Sequence, residues 1–427
     1  MNDTIVALSS GAPPAAIGVI RLSGPHALAA ATALAGSLPP AREARVRRLS
    51  HNGALLDHAL VLIFPAPDTA TGEDLVELHA HGGPAVIDAI IAALLTQPGV
   101  RSAEPGEFTR RALTNGRIDL TQAEALAALL SAQSQAQHRA AILAADGVLR
   151  RNIDDFESRL LALSARIELM LDFADEEDAA NDAAQLAAVR HGVDALAAEV
   201  EAWLAYPTVD ALHNGFRIVL AGPPNAGKST LLNSLVGRQA AIVSDIAGTT
   251  RDRIEVPVVH NGVQFLLTDT AGLAEATSDP VEAIGIERAA AAIDAADLVL
   301  WLGDSPPSRP EMLWLLPRAD LPGRKDASGE RLTVSAKAGV GLDALWQAIH
   351  ERIRGRLPPE DGRALNRRQR DCMVAVHRNL ICAGSSADPL LIAHHLSEAR
   401  RNLHRLTGRS DTESMLDALF ERFCIGK

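Results

Sequence analysis

A chain of 427 residues, 47% of them hydrophobic and 22% charged, is long enough for about three domains with their own cores, and it excludes a wholly disordered protein. The formal net charge of −12 excludes a surface that is basic throughout, so a nucleic-acid partner needs a local basic patch. Three widely spaced cysteines, Cys372, Cys382 and Cys424, form neither a disulfide framework nor a zinc site and fit a reducing compartment. The start, Met1-Asn2-Asp3-Thr4, carries no basic leader, and the longest apolar run, near Val86 to Leu95, is too short for a bilayer. A soluble, cytoplasmic protein with no membrane partner is expected.

Residues 1–118 mix short strands, helices and Gly/Pro turns, as an α+β domain does. Ala16–Leu22 and Ala59–Phe64 read as strands. Leu75–His81 alternates, with Val76, Leu78 and Ala80 on one face and Glu77, His79 and His81 on the other. The two histidines have a spacing that metal ligands use, but with no third ligand nearby a polar strand face is the favoured reading. His81-Gly82-Gly83-Pro84 then turns into a helix over Ala85–Leu95.

Residues 119–214 read as the first part of an all-α domain. Thr121-Gln122-Ala123-Glu124 has the form of a capping box opening a long Ala/Leu helix. Helical patterning continues with breaks to Tyr206, and the acidic run Asp172–Asp178 reads as a solvated loop. Residues 215–354 form an α/β nucleotide domain, and 355–427 return to helix. The α/β unit is thus expected as an insertion between two helical parts.

Within that unit, the apolar strand Arg217–Ala221 leads into Gly222-Pro223-Pro224-Asn225-Ala226-Gly227-Lys228-Ser229, and Thr230 opens a helix. The G-x-x-x-x-G-K-S pattern between strand and helix is a phosphate-binding loop. Its glycines let successive N–H groups and the helix N-terminus point at one anion. Lys228 is expected on the β- and γ-phosphates and Ser229 on Mg²⁺. Asp269-Thr270-Ala271-Gly272 follows a second strand, where Asp269 can hold Mg²⁺ through water and the Gly272 N–H can sense the γ-phosphate. Gly248-Thr249-Thr250-Arg251-Asp252 lies between, with a threonine able to close over Mg²⁺. Asn261-Gly262 marks a hairpin between Ile254–His260 and Val263–Leu267.

In this order the motifs resemble the Ras-like translation-factor GTPases. Ser335-Ala336-Lys337 matches the guanine loop of that family, and Pro317-Arg318-Ala319-Asp320 stands where N-K-x-D is expected. Asp320 can accept from the N1–H and N2–H of guanine, whereas Pro317 offers no side-chain amide. Leu273 stands where a glutamine would orient water. Either hydrolysis is poor, or another acid and another positive charge do that work.

The motifs Gly222–Ser229, Gly248–Asp252, Asp269–Leu273, Ile284–Arg288, Thr71–Leu78, His81–Pro84, Pro105–Ala112 and Cys424–Lys427 together resemble, along the whole chain, the MnmE (TrmE) family of tRNA modification GTPases. The resemblance implies a homodimer whose N-terminal domain binds a tetrahydrofolate derivative, 5-formyl- or methylene-tetrahydrofolate. With an MnmG-type flavoprotein using NADH, it implies transfer of a carboxymethylaminomethyl-type group to C5 of the wobble uridine of certain tRNAs. It implies a K⁺ site made by the Asn225 side chain with Ser244, Ile246 and Thr249, and Mg²⁺ on Ser229 and Thr250. Glu282 would position water, and Lys228, Thr250 and Cys424 complete the implied catalytic set. GTP would lie against Asn225, Ala226, Gly227, Lys228, Ser229, Thr230, Ser244, Asp245, Ile246, Ala247, Gly248, Thr249, Thr250, Asp269, Thr270, Ala271, Gly272, Asp320, Ser335, Ala336 and Lys337. Folate would meet Arg21, Glu77, Lys427 and Arg117, the last standing where lysine is usual. Two rival readings are a GTP-controlled binding switch that modifies no base, and a folate-dependent aminomethyltransferase with an accessory GTPase. Cys424-Ile425-Gly426-Lys427 has the outline of a prenylation box, but Gly and a terminal Lys fit that signal badly.

Overall fold

In Leu75–His81 only alternate side chains can reach a core, and the strand they form sits in the middle of a six-stranded sheet. The computed structural model describes residues 3–172, 179–237, 255–270, 289–322, 324, 329–359, 361–409, 420 and 426. It divides into two compact units: Met1–Ala127 with Arg150–Asp154 and Arg400–Lys427, and Ala128–Leu149 with Asp155–Ala399.

The first unit holds β1 (Thr4–Leu8), β2 (Ile17–Ser23), β3 (Arg45–His51), β4 (Ala54–Phe64), β5 (Leu75–His81) and β6 (Val100–Ser102), in the order β3-β4-β5-β2-β1-β6. Helices α1 (Ala27–Ala35) and α2 (Pro84–Leu95) cover one face. There Ile20, Leu22, Val76 and Leu78 pack against Ala30, Leu34, Ile90 and Leu94. On the other face α3 (Glu107–Thr114) brings Phe108 onto Ile5 and Ala7, while Arg21 and Glu77 oppose each other across β2 and β5. Strand β3, Arg-Val-Arg-Arg-Leu-Ser-His, carries no strand pattern in its composition. As an edge strand it tolerates charge on its exposed side.

Helix α4 spans Leu120–Ser131. The expected cap is corrected: Asp119 accepts from Gln122 N at 2.9 Å, and Gln122 Oε1 accepts from Asp119 N at 3.1 Å. The box is therefore Asp119-Leu120-Thr121-Gln122, two residues earlier than Thr121–Glu124. Asp119 wins because its carboxylate also takes the Thr121 hydroxyl at 2.7 Å, turning the rival cap residue into a donor.

The second unit opens with α5 (Gln135–Ala145), capped by a Ser134–Gln137 box, followed by α6 (Val148–Asp172), α7 (Ala179–Leu204) and α8 (Asp210–Asn214). Its sheet comprises β7 (Phe216–Ala221), β8 (Glu255–His260), β9 (Val263–Asp269), β10 (Leu298–Trp301), β11 (Leu313–Leu316) and β12 (Leu332–Thr333), in the order β12-β11-β10-β7-β9-β8. Every neighbouring pair is parallel except the β8–β9 hairpin across Asn261-Gly262. The earliest strand, β7, is central, with β9 on one side and β10 on the other. Its C-terminal end is thus a point where the strand order reverses and a crevice opens. Helices α9 (Lys228–Gly237) and α10 (Leu342–Ile353) pack Leu231, Leu235, Leu345 and Ile349 into one core with Ile218, Leu220, Phe265 and Leu300. After this α/β stretch come α11 (Arg367–Ser385) and α12 (Pro389–Thr407), and α11 packs against α7. No helix among the described residues is long and apolar enough to cross a membrane.

Candidate functional site

Strand β7 is buried between two parallel neighbours, so its end is held firmly where the loop begins. Gly222 has φ 152, and a Cβ there would lie 3.2 Å from the Leu302 backbone, so only glycine lets the loop pass this close to the strand beside it. Asn225 (φ 61) and Gly227 (φ 98) turn the chain so that α9 begins at Lys228. The Lys228 side chain is buried and folds back over the loop, donating from Nζ to the carbonyls of Gly222 at 3.0 Å and Pro223 at 3.1 Å. Its ammonium is thereby held at the helix N-terminus, where an anion is favoured.

Leu220 and Asp269 are register partners on β7 and β9, which brings the second motif beside the first. Ser229 Oγ donates to Asp269 Oδ2, and Thr270 Oγ1 donates to the Leu220 carbonyl at 2.9 Å. A hydroxyl and a buried carboxylate in contact form a hard oxygen pair that suits Mg²⁺, bound directly or through water.

The loop before β12 and the loop after it meet α9 around a cavity of about 360 Å³. Gly227, Thr230 and Leu231 line one side; Pro317, Arg318, Asp320, Leu321, Val334, Ala336 and Lys337 complete it. Asp320 Oδ1 accepts from the Ser335 hydroxyl at 2.6 Å, and Ser335 Oγ accepts from Ala338 N at 3.1 Å. Donation from Ser335 holds the Asp320 carboxyl below the usual carboxylate range, so it is an ionised acceptor at the cavity rim. Arg318, in a left-handed conformation (φ 60), donates from Nη2 to the Asn225 carbonyl of the phosphate loop.

In the first unit, Arg21 donates to Glu77 Oε1 from Nε at 3.1 Å and from Nη2 at 2.8 Å, with its guanidinium over the Phe108 ring. His79 Nε2 lies 3.2 Å from Glu77 Oε2. Burial alone would raise the Glu77 carboxyl, but the hydrogen bonds from Arg21 and His79 outweigh it and hold it below its ordinary value. Arg117 pairs with Asp68 at 3.4 Å, and its stem lies against Gly72, beside Thr71, whose carbonyl Asn115 holds at 2.7 Å. The cation–carboxylate row suits a ligand with donor edges and a carboxylate tail. His79 belongs to this row although its alternation pattern marked it only as a polar strand face.

Of the expected site residues, Ser244, Asp245, Ile246, Ala247, Gly248, Thr249, Thr250, Ala271, Gly272, Leu273, Glu282, Cys424 and Lys427 lie outside the described residues. The second unit brings together Asn225, Ala226, Gly227, Lys228, Ser229 and Thr230 in one loop–helix segment. Asp269 and Thr270 join them through hydrogen bonds, and Asp320, Ala336 and Lys337 through the cavity. Ser335 stands behind Asp320. Among the described residues no group of three His, Cys, Asp or Glu side chains could hold a metal ion.

Residues 4–117 match the family model described as GTP-binding protein TrmE N-terminus, and residues 120–424 match the MnmE helical domain model. A tRNA modification GTPase MnmE from Rhizorhabdus wittichii is 53% identical over 434 residues, covering 100% of this chain and 97% of the relative. Its counterpart from Erythrobacter litoralis is 52% identical over 427 residues, covering both chains fully at 100%. One from Novosphingobium aromaticivorans is 49% identical over 439 residues, again with 100% of each covered.

Proposed function

The chain belongs to the MnmE family of tRNA modification GTPases, and on that premise we propose that it is a K⁺-dependent GTP hydrolase. With a flavin- and NADH-dependent MnmG-type partner, it adds a carboxymethylaminomethyl-type group to C5 of the wobble uridine of tRNA, drawing on a tetrahydrofolate one-carbon unit. The observation that carries the nucleotide half is the meeting of the phosphate loop and the Asp320–Ser335 pair around one cavity.

Each described residue has a task in that reading. The loop N–H groups and the N-terminus of α9 receive the phosphates, and Lys228 moves from its two carbonyl partners onto the anion. Asp320 accepts from the N1–H and N2–H of guanine; adenine presents an acceptor at N1 and lacks the N2 amine, leaving polar groups unpaired. Ser229 and Asp269 are the oxygens suited to Mg²⁺, which when bound offsets phosphate charge. Asn225 would contribute its side-chain oxygen to K⁺, with Ser244, Ile246 and Thr249, while Thr250 would join Ser229 in holding Mg²⁺. Glu282 orients the attacking water in place of the residue that Leu273 cannot supply.

On the N-terminal domain, the Arg21–Glu77 pair and Arg117 would meet the folate, together with Lys427 from the chain's last segment. Glu77 stays ionised and presents an acceptor to the pterin, while the cations meet the glutamate tail. Cys424 is assigned to the modification step. The proposed organisation is a homodimer of chains divided at 1–118, 119–214, 215–354 and 355–427, acting in the cytoplasm.

Mass spectrometry of tRNA nucleosides from a deletion strain, with and without the gene restored, tests the reading. Loss of the modified wobble uridine is expected, with its unmodified form accumulating. Normal nucleosides would favour a binding switch. Loss that an Asp320→Asn variant fully restores would favour a transferase with an accessory GTPase.

A further inference from the structure

Pro317 deprives the base-reading loop of the side-chain amide expected there, so what holds Asp320 in place must come from elsewhere. The Pro317 residue is buried, and its carbonyl accepts from Arg324 Nη1 at 3.0 Å. The other terminal nitrogen of Arg324 reaches Asp304 Oδ1 at 3.0 Å, just past the end of β10. Two turns complete the clasp: Leu321 N donates to the Arg318 carbonyl at 3.1 Å, and Arg324 N donates to the Leu321 carbonyl at 3.2 Å. The guanidinium therefore ties the first residue of the 317–321 loop to the strand end that flanks the phosphate loop. In the chain Asp320 lies between Pro317 and Arg324, the two residues that this contact joins.

We infer that Arg324 is a positioning residue for purine selection, replacing with a backbone clasp the brace that a side chain at 317 would provide. This rests on the guanine-nucleotide reading of the cavity. Arg324 does not touch the base; it acts through Pro317 and Asp320. The two terminal nitrogens of the rigid guanidinium reach the carbonyl and the carboxylate separately, whereas a lysine ammonium would have to serve both from one atom, so lysine is a partial substitute. A residue that merely stabilised the domain would affect all nucleotides alike. One that sets the place of Asp320 must affect guanine more than adenine.

Calorimetric titration of the full chain with GDP and with ADP separates these outcomes, using wild type, Arg324→Ala, Arg324→Lys, Pro317→Asn and the double variant Pro317→Asn/Arg324→Ala. Arg324→Ala is expected to weaken GDP about fivefold, the size of one lost hydrogen bond, while ADP stays within about twofold. Arg324→Lys falls between, and Pro317→Asn restores the GDP/ADP ratio in the double variant. An unchanged ratio in Arg324→Ala, or in Arg324→Lys where the alanine variant does not fold, overturns the assignment. So does a double variant no better than Arg324→Ala alone. Wild type with no preference for GDP defeats the guanine reading itself, a different result that the same titration identifies.

Discussion

Ser9 donates its hydroxyl to the carbonyl oxygen of Gly426 at 2.7 Å, joining residues 417 positions apart. Gly426 has φ 98, and a Cβ there would sit 2.0 Å from the Leu8 carbonyl oxygen. The penultimate residue of the chain is thus seated against the end of β1, and the seat has no room for a side chain. Gly426→Ala is expected to destabilise the first unit by about 2 kcal/mol or more, through strain and the close contact together. Ser9→Ala should cost about 1 kcal/mol, the lost hydrogen bond alone. Differential scanning calorimetry of the two variants checks this, and an alanine at 426 that costs no more than the one at 9 contradicts it.

GTP turnover should need K⁺ and collapse in Na⁺, since Asn225 (φ 61) sits at the tip of the phosphate loop as the proposed side-chain ligand. Steady-state phosphate release in matched KCl and NaCl provides the measurement. Asn225→Ala should lower the K⁺ rate toward the Na⁺ rate. Equal wild-type rates in the two salts remove the K⁺ proposal.

Binding of tRNA to a chain of net charge −12 requires a local positive surface, and the C-terminal helices with their flanking residues carry Arg363, Arg367, Arg368, Arg370, Arg400, Arg401, Arg405 and Arg409. Of these, Arg363, before α11, pairs with Asp361, and Arg409, after α12, pairs with Asp154. If Arg400 and Arg401 meet phosphates, changing both to alanine should weaken binding and reduce the slope of log affinity against log salt by about 1.5 to 2. An unaltered slope in a filter-binding series moves the surface elsewhere.

His260 stacks on Trp346 at 4.2 Å and lies 2.7 Å from His350 through Nδ1. Burial, and then the neighbouring His350, push its imidazolium down to about 4. Folded, His260 is neutral at pH 6; unfolded, it takes a proton near 6.5. The unfolded state therefore binds more protons between about pH 6.5 and 4, and stability must fall as pH falls through that window. The expected loss is of the order of 2 kcal/mol, and a His260→Gln variant should show a flatter profile. Parallel melting curves for the two from pH 7.5 to 4.5 speak against this.

Much of the α/β segment was legible because its signals are local. A loop that must pass glycine-close to a neighbouring strand and present N–H groups to an anion constrains Gly222, Gly227 and Lys228 directly. Alternation on β5 and the Asn261-Gly262 hairpin follow from side-chain period and allowed dihedrals, which act over a few residues. The resemblance motifs along the chain carried the family reading for the same reason, as each is a short run whose order survives without knowledge of its neighbours in space.

Tertiary structure alone decided where charge is buried and which distant segments meet. Arg111 is fully buried, yet it donates to Asp3 Oδ1 at 2.9 Å, Glu73 Oε2 at 3.0 Å and Glu107 Oε1 at 3.1 Å. No composition rule places an arginine there, because desolvation is offset only by partners that folding itself assembles. The edge strand β3 was invisible because an edge needs no alternation, and the α4 cap moved to Asp119 because two competing cap residues were ranked by their mutual hydrogen bond. The cavity at Asp320 depends on sheet order: β11 and β12 must lie side by side before residues 317–321 can face 334–337. Pairing of strands remote in sequence is a global minimum over burial and backbone hydrogen bonds, and no local stretch of the chain encodes it alone.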